Sequence, residues 1–199
     1  MFFAVIGDIQ SNFSGLKHLL TTLENEGIQR VLHTGNICNV PENARECVEL
    51  LQQHGVLCVQ GKEDRTLTKT TKHKQKNGVA KSLHQTHAVL GSRAIEFLNG
   101  LRRKRVFTEE GLRILMCHGA VNSAGDILSA TTSVERFRRE RELDTANIIV
   151  CGGASDPFAY NIEQTLFVCP GTMTDESGCP RYTLVNTESM PWETTSLTL

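Results

Sequence analysis

The sequence predicts an α/β fold with two packed sheets flanked by helices. Three observations carry that prediction. Over residues 2–60, apolar runs alternate with helical patterns in the order strand, helix, strand, helix, strand. The second half is richer in strands. Five of the strands end in glycine beside a polar or small residue, at the carboxyl ends where α/β folds carry their sites.

The elements follow in order. Residues 2–6 (FFAVI) read as a buried first strand. Residues 13–26 carry Phe13, Leu16, Leu19, Leu20 and Leu23 on one helical stripe, stopped by Gly27. Residues 30–34 (RVLHT) form a second strand, 42–54 a second helix closed by Gly55, and 56–60 (VLCVQ) a third strand. This order implies parallel strands with right-handed crossovers. Residues 65–81 are polar, basic and poor in apolar side chains, which predicts a mobile loop. A helical pattern resumes over 84–100. Strands are expected at 112–117, 147–151, 166–169 and 182–185, with a helix at 132–142 between the first two. Residues 187–199 are expected to be an edge strand or a tail. No internal repeat or domain boundary is visible, so residues 1–199 read as one domain.

Global composition narrows the function classes. Of 199 residues, 39% are hydrophobic and 22% charged, and the formal net charge is -1. That balance favours neither nucleic acid nor an anionic membrane as partner. No apolar run reaches the roughly 18 residues of a membrane span, and the first residues lack the basic start of a signal peptide. A cytoplasmic location is the expectation. The seven cysteines are scattered without a C-x-x-C pair, so they read as small hydrophobes in a reducing compartment.

The turns after the strands hold the informative residues: Gly7-Asp8-Ile9-Gln10, Gly35-Asn36, Gly61-Lys62-Glu63-Asp64, His118-Gly119, Gly152-Gly153-Ala154-Ser155 and Pro170-Gly171-Thr172. In order and spacing this set resembles the calcineurin-like metallophosphoesterase superfamily, whose motifs run G-D-x-H, G-D, G-N-H-D/E, H-G and G-H-x-H. The nearest likeness is to its small bacterial and archaeal single-domain phosphodiesterases. The resemblance implies a four-layer α/β-β/α sandwich. It also implies a site for two divalent cations, roughly 3.5–4 Å apart, that activate water and clamp phosphate oxygens.

Position by position, the resemblance implies a degraded site. Asp8 matches a metal-ligating aspartate and His118 a metal-ligating histidine. Gln10 replaces a histidine ligand, and Asn36 replaces the bridging aspartate. Lys62 replaces a ligating asparagine, and an ammonium has no lone pair to give. Glu63 stands in place of the catalytic histidine. Gly153 and Ser155 replace the last two imidazoles. The ammonium of Lys62 is expected to fill the space of a cation and pair with Asp8.

The same residues admit plainer readings. Asp8 could cap the helix that follows, His118 could be a hydrogen-bonded core histidine, and Lys62 with Glu63 a solvated pair. Lys69, Lys72, His73, Lys74 and Lys76 fit either a phosphate-binding patch or a solvated loop. Arg102 to Arg105 suit a helix C-terminus, the alternating charges of 135–142 an exposed salt-bridged helix, and His33 a structural place in its strand.

These readings predict a phosphoesterase-fold protein with a degraded dimetal site. It would bind a protein partner or a phosphate-containing small ligand, as the retromer subunit of this fold acts as a scaffold, and no resident metal is expected. The alternative is a working phosphodiesterase or phosphatase on a reduced site. There Asp8, Asn36 and His118 would hold one divalent cation such as manganese, and Glu63 and His118 would do the chemistry.

Overall fold

The structure, a computed structural model, describes residues 1–69, 78–188 and 190–199. Ten strands form two five-stranded sheets. The first has the order β10 (Glu193–Thr198), β9 (Arg181–Asn186), β1 (Phe2–Ile6), β2 (Val31–His33), β3 (Leu57–Cys58). The second runs β4 (Lys104–Glu109), β5 (Leu112–Cys117), β6 (Ile148–Val150), β8 (Thr165–Cys169), β7 (Phe158–Ile162). Strands β1–β3 are parallel, as are β5, β6 and β8, while the remaining pairings are antiparallel.

The two-residue alternation of each strand builds the layers. Phe3 and Val5 of β1 meet Ile114 and Met116 of β5, Ile148 and Val150 of β6, and Leu166 and Val168 of β8 between the sheets. Ala4 and Ile6 point the other way. They pack under α1 (Phe13–Asn25), α2 (Ala44–Gln53) and α4 (Gly78–Gly100). Leu115, Ile149 and Phe167 pack under α5 (Val134–Glu142). Phe137 of α5 anchors that outer layer, edge-on to Phe158, Tyr160 and Phe167 at ring separations of 5.7, 5.4 and 5.1 Å. Burying one such side chain contributes about 1.5–3 kcal/mol.

The expected sandwich is present, with corrections. Arg65–Lys69 are not loop: they complete α3 (Lys62–Lys69), and α4 already begins at Gly78. Helix α3 is mostly polar, so its pattern was silent. It forms because Leu67 is wholly buried and because acids occupy its first turn, where helix N–H groups are unpaired. The basic positions Lys72, His73, Lys74 and Lys76 lie outside the described residues. Helix α4 is broken at Gly91, whose φ of 74° no ordinary helix residue adopts. Strands β4 and β7 were also unforeseen, and of the two alternatives for residues 187–199 the structure shows the edge strand, β10 paired with β9.

Six of the seven thiols are buried, and burial pushes Cys47 and Cys117 up to about 12. They pack as small apolar groups. Among the described residues no helix is long and apolar enough to cross a membrane.

Candidate functional site

The turns after β1, β2, β3, β5 and β6 converge at one end of the sandwich. Backbone bonds lock them together. Ile9 and Gln10 both donate to the Asn36 carbonyl, at 3.1 and 3.2 Å, and Met173 donates to the Asp8 carbonyl at 3.0 Å. A side chain at Gly7 would run into the Gly171 carbonyl, so this approach requires glycine.

Asp64 staples the centre. Its carboxylate, fully buried, accepts backbone N–H from Asn36, Ile37 and Gly61, each at 2.8 Å. Burial still pushes its carboxyl above the usual range, and those three donors pull against it. The staple holds Asn36 at φ 62°, a left-handed conformation that asparagine tolerates better than most residues.

The Asn36 amide is then oriented by necessity. The Glu63 backbone N–H points at it and needs an acceptor, so Oδ1 faces Glu63 at 3.0 Å. The amide nitrogen therefore faces Asp8 and donates to Oδ2 at 2.8 Å. Asp8 is 6% exposed, and its other oxygen, Oδ1, is buried without a partner. Burial raises its carboxyl, with His118 and then Asn36 opposing.

His118 is buried across from it. Its Nδ1 lies 2.8 Å from the Thr34 carbonyl, which can only accept, so Nδ1 carries the proton and Nε2 keeps its lone pair in the neutral ring. That Nε2 faces Gly153, whose added Cβ would sit 3.3 Å from it.

Glu63 is half-buried with Oε2 unpartnered. Its carboxyl is raised by burial, then by the nearby charge of Asp8 and Asp64.

Other expected members are displaced. Lys62 is exposed at the start of α3 and makes no ion pair with Asp8. The expected substitution of its ammonium for a cation is therefore corrected: the Asn36 amide, not the lysine, occupies Asp8. Gln10 is exposed, at φ 53°. Ser155 is exposed and contributes its carbonyl, to Arg181 at 2.6 Å. Asp8 caps nothing; Asn12 caps α1 by accepting from Gly15 at 3.0 Å.

A residue that sequence reading missed, Ile127, closes the position of Gly153. A Cβ on Gly153 would lie 2.5 Å from Ile127 Cδ1, and the glycine has φ 78°. No motif flags an isoleucine in a loop, so only the folded contact reveals it.

The donor set does not fit a two-cation group. Asn36 offers an amide already spent on Asp8 and Glu63, positions 153 and 155 supply no imidazole, and the space beside 153 is aliphatic. Among the described residues no three His, Cys, Asp or Glu side chains are grouped to hold a metal ion.

Comparison with known proteins gives a consistent picture of the fold. The sequence profile of the calcineurin-like phosphoesterase superfamily domain matches residues 1–190. An uncharacterized protein of Methanocaldococcus jannaschii is 29% identical over 118 residues, which is 56% of this chain and 40% of that protein. The chain thus spans well under half the length of that relative. A metallophosphoesterase from Sphaerobacter thermophilus superposes with TM-score 0.78 at 15% identity, covering 100% of this chain and 88% of that one. Vps29 of Entamoeba histolytica, solved with zinc, superposes with TM-score 0.54 at 14% identity over 100% and 99% of the two chains.

Proposed function

This chain belongs to the calcineurin-like phosphoesterase superfamily, and from that membership we propose that it is a non-catalytic or weakly active member whose site binds a ligand or protein partner. One observation carries the reading: the Asn36 amide donates to Asp8 at 2.8 Å and is fixed in that orientation by the Glu63 N–H. In a dimetal enzyme the residue at this place bridges two cations with a carboxylate. Here it offers Asp8 a hydrogen-bond donor instead, which relieves part of the cost of a buried carboxylate.

The test is a calorimetric titration of the chelator-stripped protein with manganese, paired with an assay on a chromogenic phosphodiester. The expected result is no saturable binding and no manganese-dependent turnover. Tight binding with turnover abolished by both Asp8→Ala and His118→Ala would overturn the reading.

A second reading rests on its own observation. Asp8 Oδ1 and Glu63 Oε2 are buried without partners. Unpaired buried acceptors are rare in folded proteins, and hard divalent cations such as manganese take carboxylate oxygens readily. Manganese binding by the wild type, lost in Asp8→Ala, would put a single-cation phosphodiesterase first.

A further inference from the structure

Beside His118 lies a cavity of about 450 Å³ between the first turn of α3, the end of the Gly100–Lys104 connection and the 119–125 loop. That size falls within the roughly 300–1,000 Å³ of small-molecule sites. Lys62, Arg65, Arg103 and Lys104 line it, together with His118. No carboxylate does, although the whole chain carries a net charge of -1. Among the described residues Lys62, Arg65 and Arg103 make no ion pair, and Lys104 has only Asp144, at 3.9 Å. Lys62 has the Glu63 carboxyl beside it, whose proton its charge helps to release, while Arg65 and Arg103 line the concavity with no carboxylate in its walls.

The opposite wall is held in place. Val121 donates to the buried Glu140 at 2.8 Å, and Arg136 binds Glu140 at 2.8 Å while also pairing with Asp126. Ala120 closes the loop by donating to the Asp126 carbonyl at 2.7 Å. The loop presents small residues to the cavity, among them the apolar Ala120 and Ala124 and the polar Asn122.

We propose that this cavity binds a small molecule carrying a pyrophosphate or paired phosphate groups, with Lys62, Arg65 and Arg103 holding the anion and the 119–125 loop covering the organic part. Three unpaired cations in one concavity match several negative charges on one compact group, more than a single carboxylate supplies. Two of the three are arginines, whose planar forks pair bidentately with phosphate oxygens. This inference rests on the non-catalytic reading above, because it gives the anion to side-chain cations and not to metal ions.

The test uses the 199-residue chain, chelator-treated and titrated by calorimetry with inorganic pyrophosphate, ADP, adenosine and citrate. Pyrophosphate and ADP bind saturably and adenosine does not. Arg65→Ala and Arg103→Ala each weaken both by about tenfold or more, Lys62→Gln weakens them less, and Arg138→Ala, the loss of one arginine beside Glu163, leaves them unchanged. Circular dichroism confirms the fold of each variant. Equal weakening in Arg138→Ala would reduce the effect to diffuse charge and overturn the site. Citrate binding as tightly as pyrophosphate would overturn the phosphate assignment. Absence of anion binding, with manganese also unbound, would overturn this inference while leaving the non-catalytic reading standing. Anion binding that requires manganese and ignores the arginine variants would overturn both.

Discussion

Asn36 donates its side-chain N–H to Asp8 Oδ2 at 2.8 Å, against the burial that raises that carboxyl. Asn36→Asp replaces the donor with a second carboxylate against a buried first one. Two carboxylates this close cannot both ionise readily. The variant should melt lower than wild type, by about 2–3 kcal/mol, the scale of breaking a buried charged pair's hydrogen bond. Millimolar manganese should restore part of the loss. A melting curve that ignores both the substitution and the metal would show that Asn36 is not what secures Asp8.

Asp64 holds three backbone N–H groups at once. Asp64→Ala strands all three in the interior, and each orphaned donor costs about 1–3 kcal/mol. Urea denaturation should show a loss of at least ~3 kcal/mol or a chain that does not fold. A loss confined to the range of a surface substitution would mean the turns hold together without the staple.

His33 gives a pH signature. It is wholly buried, and burial pushes its imidazole down to about 3, with the nearby charge of His118 adding to the effect. The folded value lies below the unfolded one, so the unfolded chain binds the extra proton first. His33 thus contributes stability that is fully present above about pH 6.5 and lost as pH falls toward 3. One unit below the ordinary value, at pH 5.5, the loss is about 1.4 kcal/mol. His33→Asn keeps an acceptor for the Gly35 N–H, which now reaches Nδ1 at 3.3 Å. Its stability should fall less steeply between pH 7.5 and 5.5 than that of wild type. Parallel pH profiles for the two proteins would exclude the assignment.

Gly153→His should not rebuild a metal ligand. The new side chain meets Ile127 and must adopt a positive φ. Overpacking alone costs about 1–3 kcal/mol. Adding Ile127→Ala should recover the steric share and leave the backbone share. A double-mutant cycle in denaturant measures the coupling, and strict additivity would mean that Ile127 and residue 153 do not compete for space.

The fold was legible because its strands are short apolar runs with period-2 faces and its helices carry single stripes. Val5 and Ile6 end a strand in any reading of the sequence. Helix α3 was not legible, since its buried side carries one apolar residue, Leu67, beside the polar Asp64 and Thr68, and its remaining support comes from contacts made after folding. The site was half legible. Glycine-ended strands put Asp8, Asn36, Glu63 and His118 at one end of the sandwich, and there the structure gathers them. What occupies Asp8 was misread: charge favoured Lys62, while geometry gave the place to a neutral amide held by one backbone N–H. The two arginines of the cationic cavity were missed because Arg65 and Arg103 lie far apart in the chain, and each had an ordinary local explanation.

The position of Ile127 over Gly153 also makes these two residues interdependent. A single substitution that brings an imidazole to 153 collides with the aliphatic side chain before it can offer a nitrogen to anything. Removing Ile127 first opens a gap with no immediate benefit. Either step alone is disfavoured, so an imidazole at 153 needs both positions to change together.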